Sequence, residues 1–131
     1  MDEISRTVTL EARKNGVAHL FLSDPLAFSS LLLEKRKEQF VQAEKSNHDF
    51  VFMDRGIPDI EAYLNFKKQA HTFPFEAINK SNTYQKIFIT PPWQEIYTTD
   101  NERYETFSEA QKIHLELEKV YHNLGYNPIC I

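Results

Sequence analysis

Phe50-Val51-Phe52-Met53 is a run of four apolar residues, and it ends abruptly at Asp54-Arg55-Gly56, two residues ahead of a proline, Pro58. A strand with one buried face alternates apolar and polar residues, whereas an unbroken run is expected where helices cover both faces of a parallel sheet. The stretch from Asp49 to Met53 is therefore read as a buried strand. A second run, Lys86 to Thr90 (KIFIT), stops at Pro91-Pro92, which cannot continue a central ladder. A third, Pro128 to Ile131 (PICI), closes the sequence.

Helical patterns fill the intervals. Ile4, Val8 and Ala12 recur at helical spacing, and Lys14-Asn15-Gly16 supplies a stop. Asp24-Pro25 has the form of an N-cap and an N1 proline. Phe28, Leu31, Leu32, Phe40 and Ala43 mark the buried side of the long helix that follows. The run EKRKEQ, residues 34 to 39, reads as its solvated face. Pro58 opens a helix through about Lys68, and Thr72 to Thr83 reads as a short helix with loops. Thr106 and Glu109 have capping-box spacing, Ile113, Leu117, Val120, Tyr121 and Leu124 share a face, and Gly125 ends that helix. Strands separated by helices predict a single α/β domain over residues 1–131, built on a parallel sheet of the βαβ type.

The formal net charge of −4 argues against general nucleic-acid binding, which leaves a basic footprint. The one cysteine, Cys130, cannot form an internal disulfide and is expected to be buried in its strand, so a reducing cytoplasm is the simplest compartment. No apolar run approaches the ~20 residues of a membrane span, which predicts a soluble protein. His19, His48 and His71 are scattered; His114, Glu118 and His122 lie four apart, where neighbours could share a metal, but solvated or core-edge histidines are expected.

In open α/β sheets, ligands bind outside the carboxyl ends of the strands. Two motifs occupy such ends: Asp54-Arg55-Gly56, and TPPWQEIYTTDNER at residues 90 to 103. An aspartate there can hold hydrated magnesium or accept a hydroxyl proton, and a neighbouring arginine can bind phosphate oxygens through its planar fork. The pair suits phosphoryl transfer, and Gly56 would allow a tight turn or positive φ. The same two residues equally suit a fold-stabilising network. Trp93 fits a nucleobase stack or a packed cap on the sheet edge, and Tyr97, Tyr104 and Phe107 share that ambiguity.

FMDRGIPDIEAYL, ITPPWQEIYTTDNERYETFSEAQKIH and YHNLGYNPICI together resemble a family of small P-loop NTPases. These are AAA-type ATPase domains similar to the ribosylnicotinamide kinase domain of bacterial NAD regulators. EISRTVTLEARKNG and DPLAFSSLLLEKRKEQF resemble the segments preceding the DRG strand in that family, so the resemblance covers almost the whole chain. It implies a three-layer parallel sheet of the P-loop type, nucleotide (ATP or GTP) with magnesium, and a small-molecule phosphate acceptor. Asp54 and Arg55 would match the acidic-basic pair near the acceptor or magnesium. Arg103, with Asp100, would lie in a lid-like segment where Arg103 neutralises charge on the transferring phosphate. Glu3 and Arg6 resemble residues near the acceptor pocket.

The departure from that family is the P-loop. GxxxxGK[ST] cradles phosphates with backbone N–H groups while its lysine reaches the terminal ones. Here the only glycines are Gly16, Gly56 and Gly125, and none precedes a Gly-Lys pair. The resemblance therefore implies that the P-loop strand and first helix are missing. That predicts an N-terminally truncated, inactive form, or alternatively a non-catalytic binding or regulatory module. In either case the DRG and KIFIT strands pair directly, or unpaired sheet edges invite a partner and a homo-oligomer.

Overall fold

The computed structural model describes residues 1, 3–17, 20–93 and 106–131. They form two compact units, Met1–Ile60 and Glu61–Ile131.

The first unit contains α1 (Ile4–Lys14), α2 (Leu20–Ser23) and α3 (Pro25–Glu44), with α1 and α2 both packed on α3. The Asp24 carboxylate caps α3 by accepting from Ala27 N–H at 3.1 Å, and Pro25 takes the first turn, where a missing donor costs nothing. Val8, Leu32, Leu33, Phe40, Ile57 and Ile60 are buried in this unit. Two expectations for α3 are corrected. Leu31 is exposed, and Arg36, in the middle of the EKRKEQ run, is buried. It lies three residues after Leu33 and four before Phe40, so it shares their stripe.

The segment read as a strand from Asp49 to Met53 carries no strand assignment. Among the described residues it pairs with Met1: the Met1 amino group donates to the Phe52 carbonyl, and Asp54 N–H donates to the Met1 carbonyl at 3.1 Å. This is a single parallel rung opposite Met53. The expectation of cover on both faces is also corrected. Phe50 and Phe52 are 80% and 72% exposed, whereas Val51 and Met53, on the opposite face, are half-buried.

The second unit holds most of α4 (Pro58–Phe66), then α5 (Phe75–Ser81), β1 (Phe88–Ile89), α6 (Phe107–Asn123) and β2 (Ile129–Cys130). β1 and β2 pair in parallel, Phe88 opposite Ile129 and Ile89 opposite Cys130. The sheet among the described residues therefore has two short strands taken from the middles of KIFIT and PICI. The arrangement is compatible with the α/β class, but no three-layer sheet is seen among them. Cys130 is exposed, which corrects the expected buried strand cysteine, because both residues of β2 lie at the surface. The capping box of α6 is formed, Glu109 N–H donating to Thr106 Oγ1 at 3.1 Å and Thr106 N–H to Glu109 Oε1 at 3.3 Å. Ile113, Val120 and Tyr121 form its buried side.

Three helices end in one hydrogen-bond pattern. Val17, Gln69 and Tyr126 donate back five residues to Ala12, Leu64 and Tyr121, and Gly16, Lys68 and Gly125 donate back three, to Arg13, Asn65 and His122. This is the Schellman closure, which requires a left-handed residue at the inner donor. Gly16 and Gly125 meet that need without strain at φ +87° and +90°, but Lys68 adopts it at +52° with a side chain attached. No helix of the described residues is long and apolar enough to cross a membrane.

Candidate functional site

The site begins at the turn between the extended segment 50–53 and α4. Asp54 is exposed, its backbone held by the Met1 carbonyl. Arg55 has φ +76°, the left-handed region, while Gly56 is not among the positive-φ residues. Of the tight turn or positive φ expected at Gly56, the turn is present, closed by Asp59 N–H on the Gly56 carbonyl, whereas the positive φ falls to the arginine before it.

Asp59 explains how. It is buried in the first turn of α4, where its Oδ1 accepts from Gly56 N–H at 3.4 Å and its Oδ2 lies 3.5 Å from Arg55 Nη1. Its own N–H donates to the Gly56 carbonyl at 3.2 Å. A carboxylate at a helix N-terminus is favoured by the orphan N–H groups there, and this one also accepts from the turn. Arg55 remains 40% exposed while paired to it.

Behind the turn lies a second arginine. Arg36 Nη1 donates to the Gly56 carbonyl at 3.2 Å, and Arg36 Nη2 meets Glu3 Oε1 at 3.1 Å. Glu3 also caps α1, accepting from Ser5 N–H at 2.9 Å and from the Ser5 hydroxyl. Burial opposes its charge, but the Ser5 bonds and the charges of Arg36 and Arg55 outweigh it and hold the carboxyl below its ordinary 4.5. The first unit thus brings Glu3, Arg36, Gly56, Arg55 and Asp59 into one network.

Sequence reasoning named Glu3, Asp54 and Arg55 but not Arg36 or Asp59. The signal for Arg36 was its spacing from Leu33 and Phe40, and for Asp59 its place directly after the N1 proline. Arg6 is exposed on α1. Trp93 belongs to the second unit and is 46% exposed. Asp100 and Arg103, with Tyr97 and Tyr104, lie outside the described residues.

His114 Nε2 meets Glu118 Oε1 at 3.0 Å, an i,i+4 pair on α6. Among the described residues, no three of His, Cys, Asp or Glu gather as a metal site. A magnesium ion bound through water and substrate phosphates requires only one or two carboxylates, and the exposed Asp54 fits that description.

A family model described as an AAA domain matches residues 1–131. The chain belongs to the AAA domain family. That membership makes it a P-loop NTPase-like, nucleotide-binding domain. Comparison of this AAA domain with curated proteins and with solved structures finds no match.

Proposed function

We propose that this AAA domain acts in ATP- or GTP-dependent phosphoryl transfer, with Asp54 and Arg55 on the side of the phosphate acceptor. The observation that carries the reading is the left-handed backbone of Arg55 at φ +76°, beside a glycine that could have taken it without strain. Side chains held in such a conformation cost roughly 1–3 kcal/mol and concentrate at functional sites. The arginine is thus kept at a position that backbone energetics would give to glycine.

In this reading Arg55 offers a fork of N–H donors to phosphate oxygens and stays charged throughout. Asp54 holds the magnesium or orients the acceptor hydroxyl and receives its proton. Magnesium, when bound, spreads the negative charge of the phosphates. Asp100 and Arg103 are proposed as lid residues, Glu3 and Arg6 as neighbours of the acceptor, and Trp93 as a nucleobase stack. The acceptor belongs to the small-molecule hydroxyl class, in keeping with the resemblance of the sequence to ribosylnicotinamide-kinase-like domains.

A second reading is supported by the sequence itself, since its 131 residues contain no GxxxxGK[ST]. A domain without that cradle suits a non-catalytic binding or regulatory module that keeps the Asp54-Arg55-Gly56 corner for a partner.

Calorimetric titration of the 131-residue chain with Mg-ATP and Mg-GTP tests both readings. Phosphoryl transfer at this corner requires magnesium-dependent binding that Arg55→Ala weakens at least about ten-fold and whose magnesium dependence Asp54→Ala removes. Equal binding by all three proteins would overturn the assignment. Turnover that vanishes in Asp54→Ala would exclude the purely binding module.

A further inference from the structure

Arg36 is the one residue of the EKRKEQ run that the fold withdraws from solvent, with its side chain only 6% exposed. Its two terminal nitrogens serve two separate segments, the Gly56 carbonyl at 3.2 Å and Glu3 Oε1 at 3.1 Å, while its buried Nε has no hydrogen-bond partner among the described residues. Burying a guanidinium is unfavourable unless it is paired and hydrogen-bonded, so its place needs a reason beyond packing.

That reason lies in the neighbour of the residue it touches. Strained backbone persists only where the surroundings over-determine it. Gly56 is fixed at both polar groups: its N–H by Asp59 Oδ1, and its carbonyl by Arg36 Nη1 together with Asp59 N–H. Asp59 Oδ1 thus holds the peptide that joins Arg55, the residue at φ +76°, to Gly56, and Arg36 holds the next peptide. Asp59 supplies contacts from within the turn and α4. Arg36 supplies a contact to the turn from α3, and Glu3 balances its charge.

We propose that Arg36 is a positioning residue, which clamps the Gly56 carbonyl so that Arg55 stays left-handed, with its guanidinium against Asp59 and partly open to solvent. The functional meaning rests on the reading of Asp54-Arg55 as a phosphate-side pair, whereas the coupling of Arg36 to the backbone of Arg55 is independent of it. Glu3 thereby links the start of α1 to the same corner.

Amide hydrogen exchange at Gly56 and Asp59, measured on the 131-residue chain, tests the coupling. Arg36→Lys keeps the charge but loses the fork that reaches two acceptors. It should accelerate exchange at Gly56 and Asp59 at least about ten-fold, a loss of local protection, while leaving Val120 in α6 unchanged. The same substitution should act as strongly in an Arg55→Ala background, where the strain persists without the guanidinium. In an Arg55→Gly background it should act several-fold more weakly, because glycine holds the conformation unaided. Equal acceleration in all three backgrounds, or none in a folded Arg36→Lys protein, would overturn the proposal. Should Arg36→Lys not fold, Glu3→Gln should accelerate the same two amides by a smaller factor, with the same rescue by glycine; no acceleration there also overturns it. Rescue by glycine without binding of Mg-ATP or Mg-GTP would leave the clamp standing and remove the phosphate reading. Normal nucleotide binding without rescue would do the reverse.

Discussion

Asp59 and Gly56 hold each other from both directions: Gly56 N–H donates to Asp59 Oδ1 at 3.4 Å, and Asp59 N–H donates back to the Gly56 carbonyl at 3.2 Å. Only the first bond uses the aspartate side chain, which also pairs with Arg55. Asp59→Ala should therefore cost ~1–3 kcal/mol, as expected when a buried donor loses its acceptor. Asp59→Asn retains an acceptor for Gly56 and should cost less. Urea unfolding of the two variants measures the difference, and equal costs would assign the whole effect to the lost charge.

Two glutamates respond to pH in opposite senses. Glu3 is held below its ordinary 4.5 in the folded state. A depressed carboxylate contributes stability above its unfolded value, and that stability is lost as pH falls through the folded value. Glu61 is shifted upward by its burial, a rise that the charge of His71 moderates. A raised carboxylate contributes stability only below its unfolded value, and loses it as pH rises through the folded one. Glu3→Gln should flatten the acid side of the stability curve below 4.5. Glu61→Gln should raise the urea midpoint at neutral pH, with the gain shrinking in acid. A Glu3→Gln curve parallel to wild type in that acid range would remove the first assignment.

Asn79 of α5 is buried, and among the described residues neither its side-chain nitrogen nor its side-chain oxygen finds a hydrogen-bond partner. Replacing an unsatisfied buried polar group by an apolar one of similar shape relieves a penalty of ~1–3 kcal/mol. Asn79→Leu should raise the thermal midpoint. A fall would show that the amide finds a partner in solution.

Lys68 closes α4 with a left-handed backbone at φ +52°, where α1 and α6 use glycine. Lys68→Gly should stabilise by ~0.5–1 kcal/mol, since the strain exceeds the entropy that glycine adds to the unfolded chain. Arg55→Gly relieves similar strain but surrenders the pair with Asp59, so its gain should be smaller. Equal gains in chemical denaturation would mean that the Arg55-Asp59 pair contributes nothing.

Phe50 and Phe52 project from a segment in which no hydrogen bond to the backbone of Val51 or Met53 is found among the described residues. Open edges of this kind template pairing with other chains, and charge on the edge suppresses it. Sedimentation should show concentration-dependent association that Phe52→Lys reduces. Identical sedimentation of the two proteins would exclude this edge as the cause.

The helices were legible because their signals are local. Asp24-Pro25, Thr106 with Glu109, and Gly125 each fix a helix end through bonds that span a few residues, and all three operate as read. The apolar run at 50–53 was less informative, since hydrophobicity indicates that a segment is to be covered but not by what. Its burial alternates in the structure although its sequence does not. At the corner, Asp54 and Arg55 were visible as chemistry, yet the exchange of roles between Arg55 and Gly56 was not. That exchange depends on Asp59 and on Arg36, and Arg36 is brought to the turn by tertiary packing. The charge of EKRKEQ concealed it, because net composition outweighed the position of one residue on the apolar stripe.

β1 and β2 contribute only two residues each, yet their register joins Phe88 to Ile129 across the whole of α6. Bringing such distant segments together in an unfolded chain carries a loop-closure cost that two rungs do little to offset. Once α6 has coiled, at 1.5 Å per residue, the span to be closed shrinks. The ladder is thus expected to form late in folding of the second unit, after the barrier is crossed. Weakening it should leave the refolding rate nearly untouched and speed unfolding instead.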